Sequence, residues 1–168
     1  MKTKLLLFWS VMALGILTAC SDNDSFTTST SNVLSFSTDT VKMDTVFSNV
    51  PTATRSFWVY NHSGEGLRCS SVRLEQGATT GFRVNVDGIY LSEAQNYATS
   101  AIEVRDKDSV RVFVELTSPV NHAEGPQLLE DHLVFTLESG VQQRIPLRAY
   151  TWDATLLRDV QIKTDSTL

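Results

Sequence analysis

From Val33 onward the apolar residues recur at every second position, the period of strands rather than of helices. Phe57, Val59 and Asn61 alternate with Trp58 and Tyr60, and the turn-forming run Asn61-His62-Ser63-Gly64-Glu65-Gly66 ends that strand. Leu67 to Leu74 follows as a strand whose phase changes at Ser70-Ser71: Leu67 and Cys69 share one parity, Val72 and Leu74 the other, which predicts a β-bulge. Phe82, Val84 and Val86 alternate with Arg83 and Asn85 before Asp87-Gly88 turns the chain. Val110, Val112, Val114 and Leu116 make the cleanest inward face, with Arg111 and Glu115 opposite. Leu133, Phe135 and Leu137 alternate with Val134 and Thr136, and the turn Glu138-Ser139-Gly140 returns the chain as Val141 to Tyr150, with Ile145, Leu147 and Ala149 inward. Leu34/Phe36 and Val41/Met43 to Phe47 supply one or two opening strands. Only Leu91 to Tyr97 admits a turn of helix, and it reads as an inserted loop. About seven strands with no helices between them predict an all-β fold, an antiparallel β-sandwich over residues 33–153.

The first residues follow a different rule. Lys2 and Lys4 precede an apolar run from Leu5 to Leu17, the charged and apolar regions of a secretory signal over residues 1–19. The run is short for a bilayer span. It ends in Leu17-Thr18-Ala19-Cys20, which resembles the lipobox of a bacterial lipoprotein. The resemblance implies cleavage before Cys20 and a thioether link from its thiol to diacylglycerol, so that the partner at this end is a membrane. Each buried CH₂ contributes ~0.8 kcal/mol, and two or three acyl chains hold where one binds marginally. Ser21-Asp22-Asn23-Asp24 resembles the surface-export signal of Bacteroidota lipoproteins, and implies an outer-membrane anchor facing the cell surface. Residues 20–32 are expected as a polar tether, too hydrophilic to bury.

The order of Val46 to Thr54, Phe57-Trp58-Val59-Tyr60-Asn61, a Gly-bearing turn, Leu67-Arg68-Cys69-Ser70-Ser71-Val72 and Phe82-Arg83-Val84 resembles Ig-like modules of the ASPM-SPD2-Hydin and major-sperm-protein group. More narrowly, Phe36-Ser37 through Asp153 is similar to the N-terminal Ig-like domain of Bacteroidota cell-envelope lipoproteins, in which that domain leads into a right-handed parallel β-helix. Residues 154–168, with Leu156, Leu157, Val160 and Ile162, resemble the first rung of such a helix and are expected as a truncated stub.

A net charge of −5 over 168 residues, with no Lys/Arg-rich run, excludes nucleic acid as the main partner, because phosphate binding needs concentrated positive charge. His62, His122 and His132 lie far apart; no His-Glu-x-x-His, Cys-x-x-Cys, Gly-x-Ser-x-Gly or glycine-rich phosphate loop is present, so the sequence names no catalytic residue, metal ligand or cofactor. Asp106 and Asp108 read as a solvated turn, and Cys69 as a buried, inert thiol. Trp58 and Tyr60 share one strand face, and Tyr90 and Tyr97 flank the inserted loop. Displayed together, these aromatics could stack on sugar rings or anchor an envelope protein; otherwise they cover the sandwich. The expectation is therefore a non-enzymatic, lipid-anchored envelope protein whose Ig-like domain is a spacer or interaction module, with a carbohydrate-binding surface lipoprotein as the alternative.

Overall fold

The computed structural model describes residues 25–153. In chain order the strands are β1 (Ser35–Phe36), β2 (Val41–Phe47), β3 (Arg55–Tyr60), β4 (Leu67–Leu74), β5 (Phe82–Val86) and β6 (Ile89–Tyr90). They continue as β7 (Ala98–Thr99), β8 (Ile102–Val104), β9 (Ser109–Leu116), β10 (Gln127–Leu137) and β11 (Gln142–Trp152). One sheet runs β1-β3-β9-β5-β6 and the other β2-β11-β10-β4-β7, with β8 also on β4. The long strands are those that the alternation predicts, while β1, β6, β7 and β8 are two- or three-residue pairings at the rims. With β3, β9 and β5 facing β11, β10 and β4, the strands divide as B, E, D and G, F, C do in an immunoglobulin-like sandwich.

The period of two works because each strand buries one face against the opposite sheet. Val59, Val84, Val112, Val114, Leu133, Phe135 and Leu147 are fully buried, and each such side chain contributes about 1.5–3 kcal/mol through burial. The bulge stands where the phase change predicts it: Thr136 faces Ser71 and Leu137 faces Cys69, so Ser70 is the extra residue. The β10–β11 hairpin closes through Glu138-Ser139-Gly140, where the Gly140 N–H donates to the Leu137 carbonyl at 2.9 Å. The Leu91–Tyr97 segment carries a single 3₁₀ turn, Glu93–Gln95.

The pairing of the opening strands differs from expectation. β1 and β2 lie in opposite sheets, and β2 joins β11 in parallel, so that sheet is mixed rather than antiparallel throughout. An even number of reversals separates β2 from β11, so the two run the same way when they meet. The free edge of β2 is blunted by a bulge at Asp44, whose φ is 55° and whose carboxylate pairs with Arg55 at 2.7 Å. Pro146, which has no N–H to donate, stands one residue before the β2 pairing starts at Leu147.

Chain pairing also begins before Val33. The Gly66 N–H donates to the Ser25 carbonyl at 2.9 Å and the Thr27 N–H to the Gly66 carbonyl at 3.0 Å. The Arg68 guanidinium lies 4.4 Å above the Phe26 ring and pairs with Glu103 at 2.7 Å and Glu138 at 3.4 Å. Phe26 thus docks a stretch expected as free tether. The chain enters beside the β10–β11 hairpin and reaches Asp153 at the opposite end of β11, roughly 35 Å away by the rise of an extended strand. The signal over 1–19, Cys20, Ser21 to Asp24 and the tail over 154–168 lie outside the described residues.

Asp153 closes that far end. Its carboxylate accepts the Ser48 hydroxyl, the His122 N–H at 2.6 Å and the Asn121 N–H at 3.2 Å. The Ser48 hydroxyl first, and then the two amides, hold this carboxyl below its usual pKa of 3.8. A depressed folded-state pKa makes the contribution complete above the unfolded pKa and removes it as pH falls through the folded one. The His122 amide resonance is therefore expected to titrate with a midpoint below 3.8, and Asp153→Asn is expected to abolish that transition. A midpoint at or above the ordinary value would show that these hydrogen bonds do not form.

Candidate functional site

The aromatics named from sequence do not assemble into one surface. Trp58 and Tyr60 do share the outer face of β3, because Phe57 and Val59 take the inner one. Trp58 stands opposite Arg111 on β9, and the Arg111 guanidinium lies 5.2 Å from the Trp58 ring and 5.0 Å from that of Phe113. The same guanidinium donates to the Ser56 hydroxyl at 3.0 Å. Both rings are partly open, 39% and 37% exposed, and the cation between them covers one face of each. Tyr60 stacks on His62, with centroids 5.7 Å apart and an interplanar angle of 16°.

Tyr97 packs inward against the core, and its ring lies so close over Gly77 that a Cβ there would stand 2.6 Å from it. Tyr90 remains open at 49% exposure, on the edge strand β6. By strand spacing it is about 14 Å from Trp58, with β9 and β5 between. Phe113 was not singled out from sequence, although its signal is present: it occupies a solvent-phase position between Arg111 and Glu115 on a strand whose inward phase is already filled.

The remaining candidates settle into structural roles. Asp106 accepts the Gly64 N–H at 3.0 Å and Asp108 the Ser109 N–H at 2.7 Å, so both cap turns. His62 and His122 are exposed, whereas His132 lies half-buried on β10, 3.3 Å from Glu75 and 3.8 Å from Glu130. Among the described residues no three His, Cys, Asp or Glu side chains converge as a metal site. Asp131, absent from the sequence-level candidates, is fully buried on β10 and accepts the Gln76 N–H at 2.9 Å and the Thr80 hydroxyl at 2.8 Å. It ties β10 to the crossover between β4 and β5, and so acts on the fold.

Cys69 is fully buried and free, while Arg68 points to the other face, as strand alternation requires. Burial pushes the thiol up to about 12. A thiolate is then scarce at pH 8, and labelling is expected to wait for unfolding. Cys69→Ala is expected to cost on the order of 1 kcal/mol through lost packing. Rapid modification of the folded protein without denaturant would contradict this placement.

No protein-family model matches the chain, and no curated protein sequence matches it. Solved structures do resemble it. A protein of unknown function from Porphyromonas gingivalis superposes with a TM-score of 0.51 at 14% identity, over 80% of this chain and 51% of that one. A family 123 glycoside hydrolase from Clostridium perfringens gives 0.46 at 6% identity, over 69% and 23%. The E. coli chaperone DraB gives 0.44 at 11% identity, over 71% and 56%. The chain spans about half the length of the Porphyromonas protein. At such identities likeness is one of fold: this chain is an all-β sandwich, similar in architecture to a protein from a member of the Bacteroidota.

Proposed function

We propose that the protein is a non-enzymatic, lipid-anchored component of a Bacteroidota cell envelope whose Ig-like sandwich is a spacer and interaction module. The observation that carries this reading is the placement of the two ends. The chain enters beside Gly66 and Arg68 and leaves at Asp153, at opposite poles of the longest hairpin. A sandwich threaded this way sets whatever follows residue 153 roughly 35 Å from whatever holds residue 25. The docked Phe26 stiffens the entry, since Gly66 contacts its ring and Arg68 covers it. The lipobox at Cys20, the acidic stretch at Asp22 and Asp24, and the Ig-like strand order support a lipoprotein of the kind whose sandwich precedes a parallel β-helix.

Cys20→Ser is expected to abolish metabolic labelling with fatty acid and to move the protein from the membrane to the soluble fraction or leave it uncleaved. Replacing Asp22 and Asp24 with alanine is expected to remove accessibility to external protease while keeping the lipid. A free, unlipidated Cys20 on the mature wild-type protein, read by mass spectrometry, would overturn the anchor.

A further inference from the structure

A groove of about 460 Å³ lies where the edges of the two sheets approach, with β6 on one side and β4 and β7 on the other. Ser70, Ser71, Tyr90, Gln95, Thr99 and Ser100 line it, and no charged side chain does. The β4 bulge creates its hydroxyl pair. Cys69 and Val72 both face the core, so the two serines between them both face outward, which a regular strand forbids. Ser70 donates its proton to the Thr136 carbonyl at 3.1 Å and keeps its lone pairs. Gln95 accepts the Ser92 hydroxyl through its side-chain carbonyl, which leaves its amide N–H groups to donate outward.

The wall carrying Gln95, Thr99 and Ser100 is held in a costly conformation. Asn96, Tyr97 and Ala101 have φ values of 53°, 55° and 58°; Asn96 takes this region readily as the cap of the 3₁₀ turn, while Tyr97 and Ala101 each bear about 1–2 kcal/mol for it. Such geometry persists where the surroundings over-determine it. Here the Tyr97 ring is seated on Gly77, its N–H donates to the Ser92 carbonyl at 2.8 Å, and its carbonyl accepts the Leu74 N–H at 3.0 Å. A pre-set wall spares a ligand the ordering cost of binding.

We propose that this groove binds a neutral saccharide. A pyranose has an apolar face of C–H groups and a rim of hydroxyls that both donate and accept. The open Tyr90 ring suits the face, and the serine, threonine and glutamine groups suit the rim. An ionic ligand would find no counter-charge among the lining residues. The volume falls within the range of small-molecule sites. The site excludes Trp58 and Tyr60, and it stands whether or not Cys20 carries lipid.

The test is an amide-shift titration of the full chain with maltohexaose, cellohexaose, mannohexaose and chitohexaose, with polygalacturonate as the anionic control. At least one neutral probe is expected to give saturable shifts at Ser70, Tyr90, Gln95, Thr99 and Ser100. Tyr90→Ala and Gln95→Ala, both on exposed side chains, are expected to weaken that binding about tenfold or more, with unchanged melting curves. Trp58→Ala is expected to leave it unaltered. The proposal is overturned if none of the neutral probes shifts these residues up to ~10 mM. Shifts confined to Trp58, Arg111 and Phe113, or polygalacturonate binding the groove as well as the neutral probes do, would also overturn it.

Discussion

Replacing Asp131 with alanine is expected to lower the unfolding free energy by about 3 kcal/mol, a large fraction of what a domain of this size has to lose. The carboxylate is fully buried and accepts the Gln76 N–H, the Thr80 hydroxyl and the His132 N–H at 2.9, 2.8 and 2.7 Å. Alanine removes these three hydrogen bonds together and leaves Thr80, itself buried, with its hydroxyl facing an apolar methyl. Asp131→Asn keeps one acceptor oxygen and is expected to cost about 1 kcal/mol, because the Thr80 hydroxyl can turn to accept from the new amide. The ranking matters more than either value. Denaturant midpoints at constant m-value measure it, and an alanine variant within 0.5 kcal/mol of wild type, a shift on the order of that of a neutral surface substitution, would show that this carboxylate does not pin the β4–β5 crossover.

Gly81→Ala is expected to cost about 3 kcal/mol or to prevent folding. The residue sits at φ +76°, and a Cβ would come within 2.1 Å of the Thr117 carbonyl oxygen. That obstacle is backbone, held by the hydrogen bond from the Thr117 N–H to the Gly81 carbonyl at 3.1 Å, so it cannot swing away as a side chain would. Gly140→Ala serves as the control. Its φ is +85° but nothing lies within 4 Å of a Cβ, so only the cost of left-handed backbone remains, about 1–2 kcal/mol. Equal losses at the two positions would mean that the close approach of residues 81 and 117 is absent.

The fold was largely legible because burial on one face writes itself into sequence as alternation. Val110 to Leu116 and Leu133 to Leu137 needed nothing else, and even the Ser70 bulge showed as a one-residue slip in phase. The short strands after β5 were not legible, since two or three residues such as Ile89–Tyr90 or Ala98–Thr99 are too few to establish a period. Phe26 was hidden differently. A single aromatic in a polar run carries no pattern, and its docking depends on Gly66 and Arg68, about forty residues further on.

By itself the sequence determined the strand faces, the main turns, the inert Cys69 and the absence of the familiar catalytic motifs, all of which follow from residue chemistry over a few neighbouring positions. Only the tertiary structure decided which aromatics stay open. Arg111 between Trp58 and Phe113, His62 against Tyr60 and Gly77 beneath Tyr97 are contacts set by strand order and loop path, and they leave Tyr90 beside the serines of the bulge. The parallel meeting of β2 with β11 and the buried acceptor at Asp131 belong with them. Alternation reports which face of a strand meets the core, and it carries no information about which strand lies alongside it.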